Sequence, residues 1–220
     1  MKLSSSTANL FEYYKTINNT ILLEAGNLLR SMSPSQTVYV TTKIQDTFPA
    51  DAGIYDLGKF MSVLKMFNLE DTEIEFHDTH LTLVQGEKKA IYKTCMPNLI
   101  MIPDRDFIPE QEDIVCRSKL LNTDLQSLLN AMRTLKYENI SIAGEDGNLY
   151  LKTLSVLDRD SDIFSIRIGK AERNFTAILD ASVFKIIPDD YILSLDTNMI
   201  HLRSKISNYW ITLSEESDFD

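Results

Sequence analysis

Two of the chain's three histidines stand three residues apart in the stretch His77-Asp78-Thr79-His80, with a carboxylate between them. Imidazole nitrogens and carboxylates are ligands for zinc and related cations, and a metal held there could activate water for hydrolysis. A metal-dependent hydrolase using His77, Asp78, His80 and nearby acids is therefore the enzymatic reading. The rest of the chain gives it no support. No third ligand stands at useful spacing, and there is no Gly-rich phosphate loop, no Gly-x-Ser-x-Gly elbow and no locally supported Cys-His pair. Cys95 and Cys116 are too few and too irregularly placed for a disulfide framework or a zinc site, so two reduced thiols are expected. The expectation is a protein that is not an enzyme and carries no metal or cofactor.

The elements that would position these histidines form part of an internal repeat. "GNLLRSMS" (26–33) is echoed by "GNLYLKTLS" (147–155), and "IYDLGKFMSVL" (54–64) by "ILDASVFKII" (178–187), so that Asp56 matches Asp180 and Phe60 matches Phe184. In the third echo "EIEFHDTHLTLV" (73–84) lines up with "YILSLDTNMIHL" (191–202). The three echoes occur in the same order, which is the mark of a duplicated unit. A Leu and an Asn stand where the two histidines are, so the architecture requires no ligand there. Asp78-Thr79 and Asp196-Thr197 read as hairpin-turn residues.

Periodicity fills in each half. Residues 6–18 predict a helix with Leu10, Tyr14, Ile17 and Ile21 along one stripe, followed by strands at 20–25, 28–33, 38–44 and 52–55. Asp56 is a good N-cap for a second helix with Leu57, Phe60, Leu64 and Phe67 inward, and strands at 73–77, 81–86 and 88–95 complete the half. The second half predicts a strand at 114–119, then a helix capped by Asn122 or Thr123 with Leu125, Leu128, Leu129, Met132 and Leu135 inward. Four strands, a short helix capped by Asp180 and three further strands follow. Between the halves, Pro97, Pro103 and Pro109 mark an extended connector, because proline cannot serve a central ladder. The expected fold is α+β with two similar domains, 1–96 and 114–220, joined by connector 97–113. Each is an antiparallel sheet layer carrying two helices. The closing "SEESDFD" reads as a mobile acidic tail.

With 22 basic against 32 acidic residues the formal charge is −10, which by itself speaks against a nucleic-acid partner. No apolar window is long enough to span a membrane and no signal-like start is present, so a soluble, intracellular protein without a membrane partner is expected. The distribution of charge is more informative than its sum. Lys15, Lys59, Lys65, Arg133 and Lys185 fall on predicted helices with Lys119 and Lys136 beside their ends, whereas helical acids such as Asp56, Asp124 and Asp180 are mainly caps or first-turn groups. The helix layer is thus more basic than the molecule. No base-reading motif accompanies it, so any nucleic-acid contact would be to the backbone.

The opening "MKLS", the "AGIYDLGKF" segment, "LLNTDLQSLLNAMRTLKYENISIAGEDGNLYLK" (120–152), "PDDYILSL" and the ending "SNYWITLSEESDFD" closely resemble the DNA polymerase sliding clamps of T-even-type bacteriophages, from the first residue to the last. The resemblance implies a homotrimeric ring of six domains, with helices lining a central hole and a continuous sheet outside. It implies a non-enzymatic processivity factor that encircles duplex DNA without reading sequence and tethers the replicative DNA polymerase. An ATP-dependent clamp loader would place it, in the cytoplasm of the infected bacterial host, and late-transcription factors are further partners. Lys15, Lys59, Lys65, Lys119, Arg133, Lys136 and Lys185 would then face DNA. Partners of such clamps insert a short apolar peptide near the connector, for which Leu99, Ile100, Ile102, Phe107 and Ile108 are the candidates. A viral structural or assembly protein is the remaining alternative, and the basic helices and repeated unit speak against it.

Overall fold

In a computed structural model describing residues 1–154, 162–184 and 186–219, the chain divides into two units, Met1–Phe107 and Ile108–Asp220. The first runs α1 (Ser5–Ile17), β1 (Ile21–Leu23), β2 (Gly26–Met32), β3 (Val38–Phe48), β4 (Ala52–Ile54), α2 (Leu57–Leu64), a 3-10 turn at Leu69–Asp71, then β5 (Glu73–His77), β6 (His80–Gln85) and β7 (Lys88–Lys93). All its strand pairs are antiparallel: β1 with β4, β2 with β3, and β5-β6-β7 in a meander.

Local chemistry sets the helix starts. Ser4 Oγ accepts from the Thr7 amide at 3.2 Å and is itself fixed by Asp46, while Asp56 Oδ1 accepts from the Lys59 amide at 2.9 Å to cap α2. The buried stripe of α1 is Thr7, Phe11 and Tyr14, one step away from the expected line, and Leu10 and Ile17 are only half-buried. Phe11 determines this phase, because its ring meets Phe60 of α2 at 6.0 Å and Phe60 in turn meets Tyr92 of β7 edge-on at 5.0 Å. Each such ring, fully buried, contributes about 1.5–3 kcal/mol. Tyr14 donates its hydroxyl to the Leu29 carbonyl at 3.0 Å, which ties α1 to β2. Helix α2 stops at Leu64, a turn earlier than expected, and Met61 takes the inward place assigned to Phe67, which is half-buried.

The second unit contains β8 (Cys116–Leu120), α3 (Asn122–Leu135), β9 (Asn139–Glu145), β10 (Asn148–Leu154), β11 (Phe164–Lys170), β12 (Phe175–Asp180), a 3-10 turn at Ala181–Val183, β13 (Tyr191–Leu195), β14 (Met199–Arg203) and β15 (Ser207–Thr212). Its sheets run β11-β10-β9-β12 and β8-β13-β14-β15, again antiparallel. The expected last helix is a single 3-10 turn, capped as anticipated by Asp180, whose Oδ1 accepts from the Ser182 amide at 2.7 Å. The N-cap of α3 is Leu121, not Asn122 or Thr123. Its missing side-chain acceptor is supplied from a distance by Asp190, which accepts from the Asn122 amide at 2.9 Å. Leu125, Leu128 and Met132 form the inward stripe, with Leu129 and Leu135 half-buried, and Lys136 at φ 58 ends the helix in the left-handed region.

The duplication reaches single hydrogen bonds. After the last strand of each unit the chain folds back the same way: the Thr94 amide donates to the Thr79 carbonyl and Cys95 to Gly53, just as Leu213 donates to Asn198 and Ser214 to Ile178. Beyond Cys95 the connector is pinned by a buried ion pair. Arg30 and Glu24, 2% and 8% exposed, meet through two bonds of 2.7 Å, and Arg30 Nη1 also donates to the carbonyls of Pro103 and Asp104 at 3.1 and 2.9 Å. Burial alone would lower the Arg30 pKa, but the bonds to Glu24 and Tyr39 outweigh it and raise it. Arg105 adds a bond to the Ala25 carbonyl at 2.8 Å. The thiols of Cys95 and Cys116 are free. Burial raises both pKa values, that of Cys116 to about 12.

A titratable ring sits inside the second unit. His201 stacks on Trp210 across β14 and β15 at 4.7 Å and shares a 3.1 Å hydrogen bond with Asn208 Oδ1. Burial lowers its pKa against the opposing Asn208 bond, and Arg203 lowers it further. The folded chain therefore binds this proton less readily than the unfolded chain, so stability falls as pH drops through the ordinary histidine value of about 6.5. The thermal midpoint should decline between about pH 7 and pH 5.5, and His201→Phe should flatten that decline in a calorimetric pH series.

Candidate nucleic-acid interface

Histidines 77 and 80 close the β5–β6 hairpin as a directly opposed pair, with Asp78-Thr79 as its two-residue turn. Their rings stack at 4.4 Å and 19° and do not converge on a point. His77 Nε2 lies 3.5 Å from Glu75, and His80 Nδ1 lies 3.3 Å from Thr79 Oγ1. Burial lowers the pKa of His80, and His77, Lys93 and Lys89 add to the effect. Among the described residues no group of three or more His, Cys, Asp or Glu side chains is placed to hold a metal ion. Nor is any described helix long and apolar enough to cross a membrane.

The candidate basic residues of the first unit come together on α1 and α2, which pack against each other. Lys15 reaches the start of α2, where a Cβ added at Gly58 would meet its Cε and Nζ at 3.1 Å. Lys15 and Lys59 flank Asp56, whose carboxyl is held below its ordinary range. The largest cause is the bond from the Lys59 amide, followed in the same sense by Asn19 and the two lysine charges. Lys65, at the far end of α2, is matched by Glu12 of α1 at 2.9 Å, with both side chains exposed. Lys15 and Lys59, by contrast, form no ion pair of 4.0 Å or less among the described residues and act on Asp56 only at longer range.

In the second unit Arg133 and Lys136 are exposed at the C-terminal end of α3. The neutral groups beside them are already engaged. Ser127 and Thr134 donate their hydroxyls to the Thr123 and Asn130 carbonyls of their own helix, at 2.8 and 2.9 Å. Lys119 lies on β8, just before α3, and its Nζ is 3.8 Å from Asp190. A 14-residue helix, about 20 Å long, separates it from Arg133 and Lys136. Lys185 lies outside the described residues. Sequence reasoning passed over a second basic group: Lys88, Lys89 and Lys93 are all exposed on β7, and "KKAIYK" was the available signal.

Of the apolar candidates near the connector, Leu99, Phe107 and Ile108 are well exposed and Ile102 is half-buried. Ile100 is 6% exposed and packs into its unit, so its side chain has no surface to offer a partner. Phe107 rests against Tyr39 at 5.8 Å. Met96, Met101 and Tyr55, which the sequence reading did not pick out, are each more than half exposed and enlarge the apolar surface.

Comparison with known proteins gives these features a context. Residues 4–101 match the family model of the DNA polymerase processivity factor. Over the full length of both chains the protein is 26% identical to the sliding clamp of Enterobacteria phage T4 and 25% identical to that of Escherichia phage RB69. It is 26% identical to the sliding clamp of Vibrio phage KVP40, over 89% of this chain and 90% of that one. Among solved structures, the fold is similar to the PCNA2–PCNA3 complex of Sulfolobus tokodaii, with TM-score 0.68, 15% identity and 96% of each chain covered. It is likewise similar to A. fulgidus PCNA bound to the C-terminal region of FEN-1, with TM-score 0.67, 13% identity and 95% of each chain covered. The fold is thus the PCNA-like clamp fold, and the chain is similar over its full length to phage sliding clamps and over residues 4–101 to the DNA polymerase processivity factor family.

Proposed function

We propose that the chain is the sliding clamp of a phage replication machinery: a homotrimeric ring around duplex DNA that tethers the replicative polymerase. The observation that carries this reading is the end-to-end alignment with phage sliding clamps. The domains are 1–96 and 114–220, joined by connector 97–113, so three copies supply six domains. Lys15, Lys59, Arg133 and Lys136, with weaker shares from Lys65, Lys119 and Lys185, meet phosphates through exchangeable contacts that let the ring slide. Two sheets end in strands, β7 and β11, that pair with no further strand on their outer side among the described residues. Such edges are suited to pairing with the next copy in a rotationally closed ring. Leu99, Phe107 and Ile108, with Met96 and Met101, offer the apolar surface for the polymerase and other partner peptides.

The function is topological, not catalytic. A ring threaded on DNA turns polymerase rebinding into an intramolecular event at high effective concentration. Because the duplex must enter a closed ring, an ATP-dependent loader opens it. The same mobile ring serves late viral transcription, and all of this takes place in the cytoplasm of the infected host. Two measurements test the reading. Sedimentation at micromolar concentration should give a trimer, and loader with ATP should leave the protein on circular duplex DNA but not on linear duplex. A monomer that still supports processive synthesis would overturn the ring.

A further inference from the structure

The carboxyl end is not the free tail that its composition led us to expect. Strand β12 pairs with β9 on one side, and on the other it is met by the chain's own last residues. After β15 a turn closes over Ser214–Ser217, with the Ser217 amide donating to the Ser214 carbonyl. Thr176 and Asp218 then exchange main-chain bonds of 2.7 and 2.8 Å, and the Ile178 amide donates to Ser217 Oγ at 2.9 Å. Phe219 lies flat over Phe175, with ring centroids 5.8 Å apart and planes at 13°. The platform beneath is a built one: a Cβ at Gly144 would come within 2.8 Å of the Phe175 ring and 2.4 Å of the Arg173 carbonyl.

Two observations mark this contact as an addition that the fold does not require. In the first unit the equivalent edge of β4 makes one main-chain bridge, between Gly53 and Cys95, after which the chain leaves as the connector, and among the described residues no second bridge repeats the part of Asp218. The tail also brings Asp218 to a recess lined by Asp146 and by Glu145, which Lys152 already pairs, so the docking rests on main-chain bonds, one serine hydroxyl and one ring and gains no ion pair from Asp218. A chain end held in this way is a resident that can leave.

We propose that the outer edge of β12 is a strand-docking site, and that a partner protein's extended peptide replaces the tail there. The resident defines the chemistry of the replacement: a hydroxyl-bearing residue, then a residue whose main chain pairs with Thr176, then an aromatic residue that covers Phe175. Main-chain pairing gives the affinity and the ring gives the selectivity.

The test uses the full chain carrying Asp218→Pro and Phe219→Ala, which removes the N–H donated to Thr176 and the ring over Phe175. The probe is a fluorescein-labelled peptide with the sequence of residues 213–220. Anisotropy should show binding to the variant about tenfold or more tighter than to the unaltered chain, where the tethered tail competes. A peptide with alanine at the Phe219 position should bind neither. Equal binding to both proteins, or none to the variant, overturns the proposal. Hydrogen exchange on the unaltered chain gives a second reading that needs no variant. The Thr176 amide, under the tail, should exchange faster than that of Ala177, which faces β9. Equal protection would mean that the tail does not leave, and would also overturn the proposal.

Discussion

On the proposed ring, replacing Lys15, Lys59 and Arg133 together by glutamate should lower retention on circular DNA by about an order of magnitude or more while leaving the oligomeric state unchanged. Each change removes a cation that duplex phosphates can use and sets an anion in its place. All three side chains are exposed, and no ion pair of 4.0 Å or less involves them in the described structure, so folding should tolerate the change. Lys65 serves as the internal control because Glu12 already holds it at 2.9 Å. Lys65→Glu combined with Glu12→Lys keeps the pair and its net charge, and should leave retention close to that of the unaltered ring. The slope of log affinity against log salt should also fall, by about 0.9 for each phosphate that the protein no longer neutralises. Unchanged retention with an unchanged slope would place the DNA on another surface, and Lys88, Lys89 and Lys93 of β7 would be the next cations to reverse.

The second large effect concerns stability. Arg30→Leu should destabilise the chain by about 3–5 kcal/mol, because it leaves the Glu24 carboxylate buried without its partner. The carbonyls of Pro103 and Asp104 lose their donor in the same step, so the connector should loosen before the rest of the unit unfolds. Urea unfolding measures the first consequence, and trypsin cleavage at Arg105 measures the second. The double change Glu24→Leu with Arg30→Leu should be less harmful than the sum of the single changes, since an apolar pair leaves no stranded charge. If Arg30→Leu moves the urea midpoint no further than an ordinary surface substitution, the ion pair contributes little and the connector is held elsewhere.

What sequence reading could and could not recover follows the range of each interaction. The turn at Asp78-Thr79, the caps at Asp56 and Asp180 and the inward faces of α2 and α3 depend on neighbours a few residues away, and periodicity exposed nearly all of them. The phase of α1 was missed because Phe11 is chosen by Phe60, far along the chain. The same holds for the start of α3, where the amide of Asn122 is satisfied by Asp190 and not by a local side chain. Nothing in "LLEAGNLLR" announces that Glu24 and Arg30 will be buried against each other, since the carbonyls that complete their shell lie more than seventy residues on. Lysines on predicted helices could be identified, but not that Lys65 would be partly neutralised by Glu12 or that Lys119 would lie 3.8 Å from Asp190. Ile100 differs from its exposed neighbours Leu99 and Met101 only in the direction the connector turns it.

The two thiols have a practical consequence for watching the protein at work. Burial pushes the Cys116 pKa up to about 12, so very little of it is thiolate at neutral pH, and the thiolate is the reactive species. Cys95 is less deeply placed, but its pKa is also raised and its sulfur packs against the Gly53 backbone. A cysteine introduced at an exposed turn such as Glu87 should therefore take a maleimide dye long before either native thiol does. Fluorescent reporters of opening and closing can accordingly be attached to the natural sequence, with no need for a cysteine-free background.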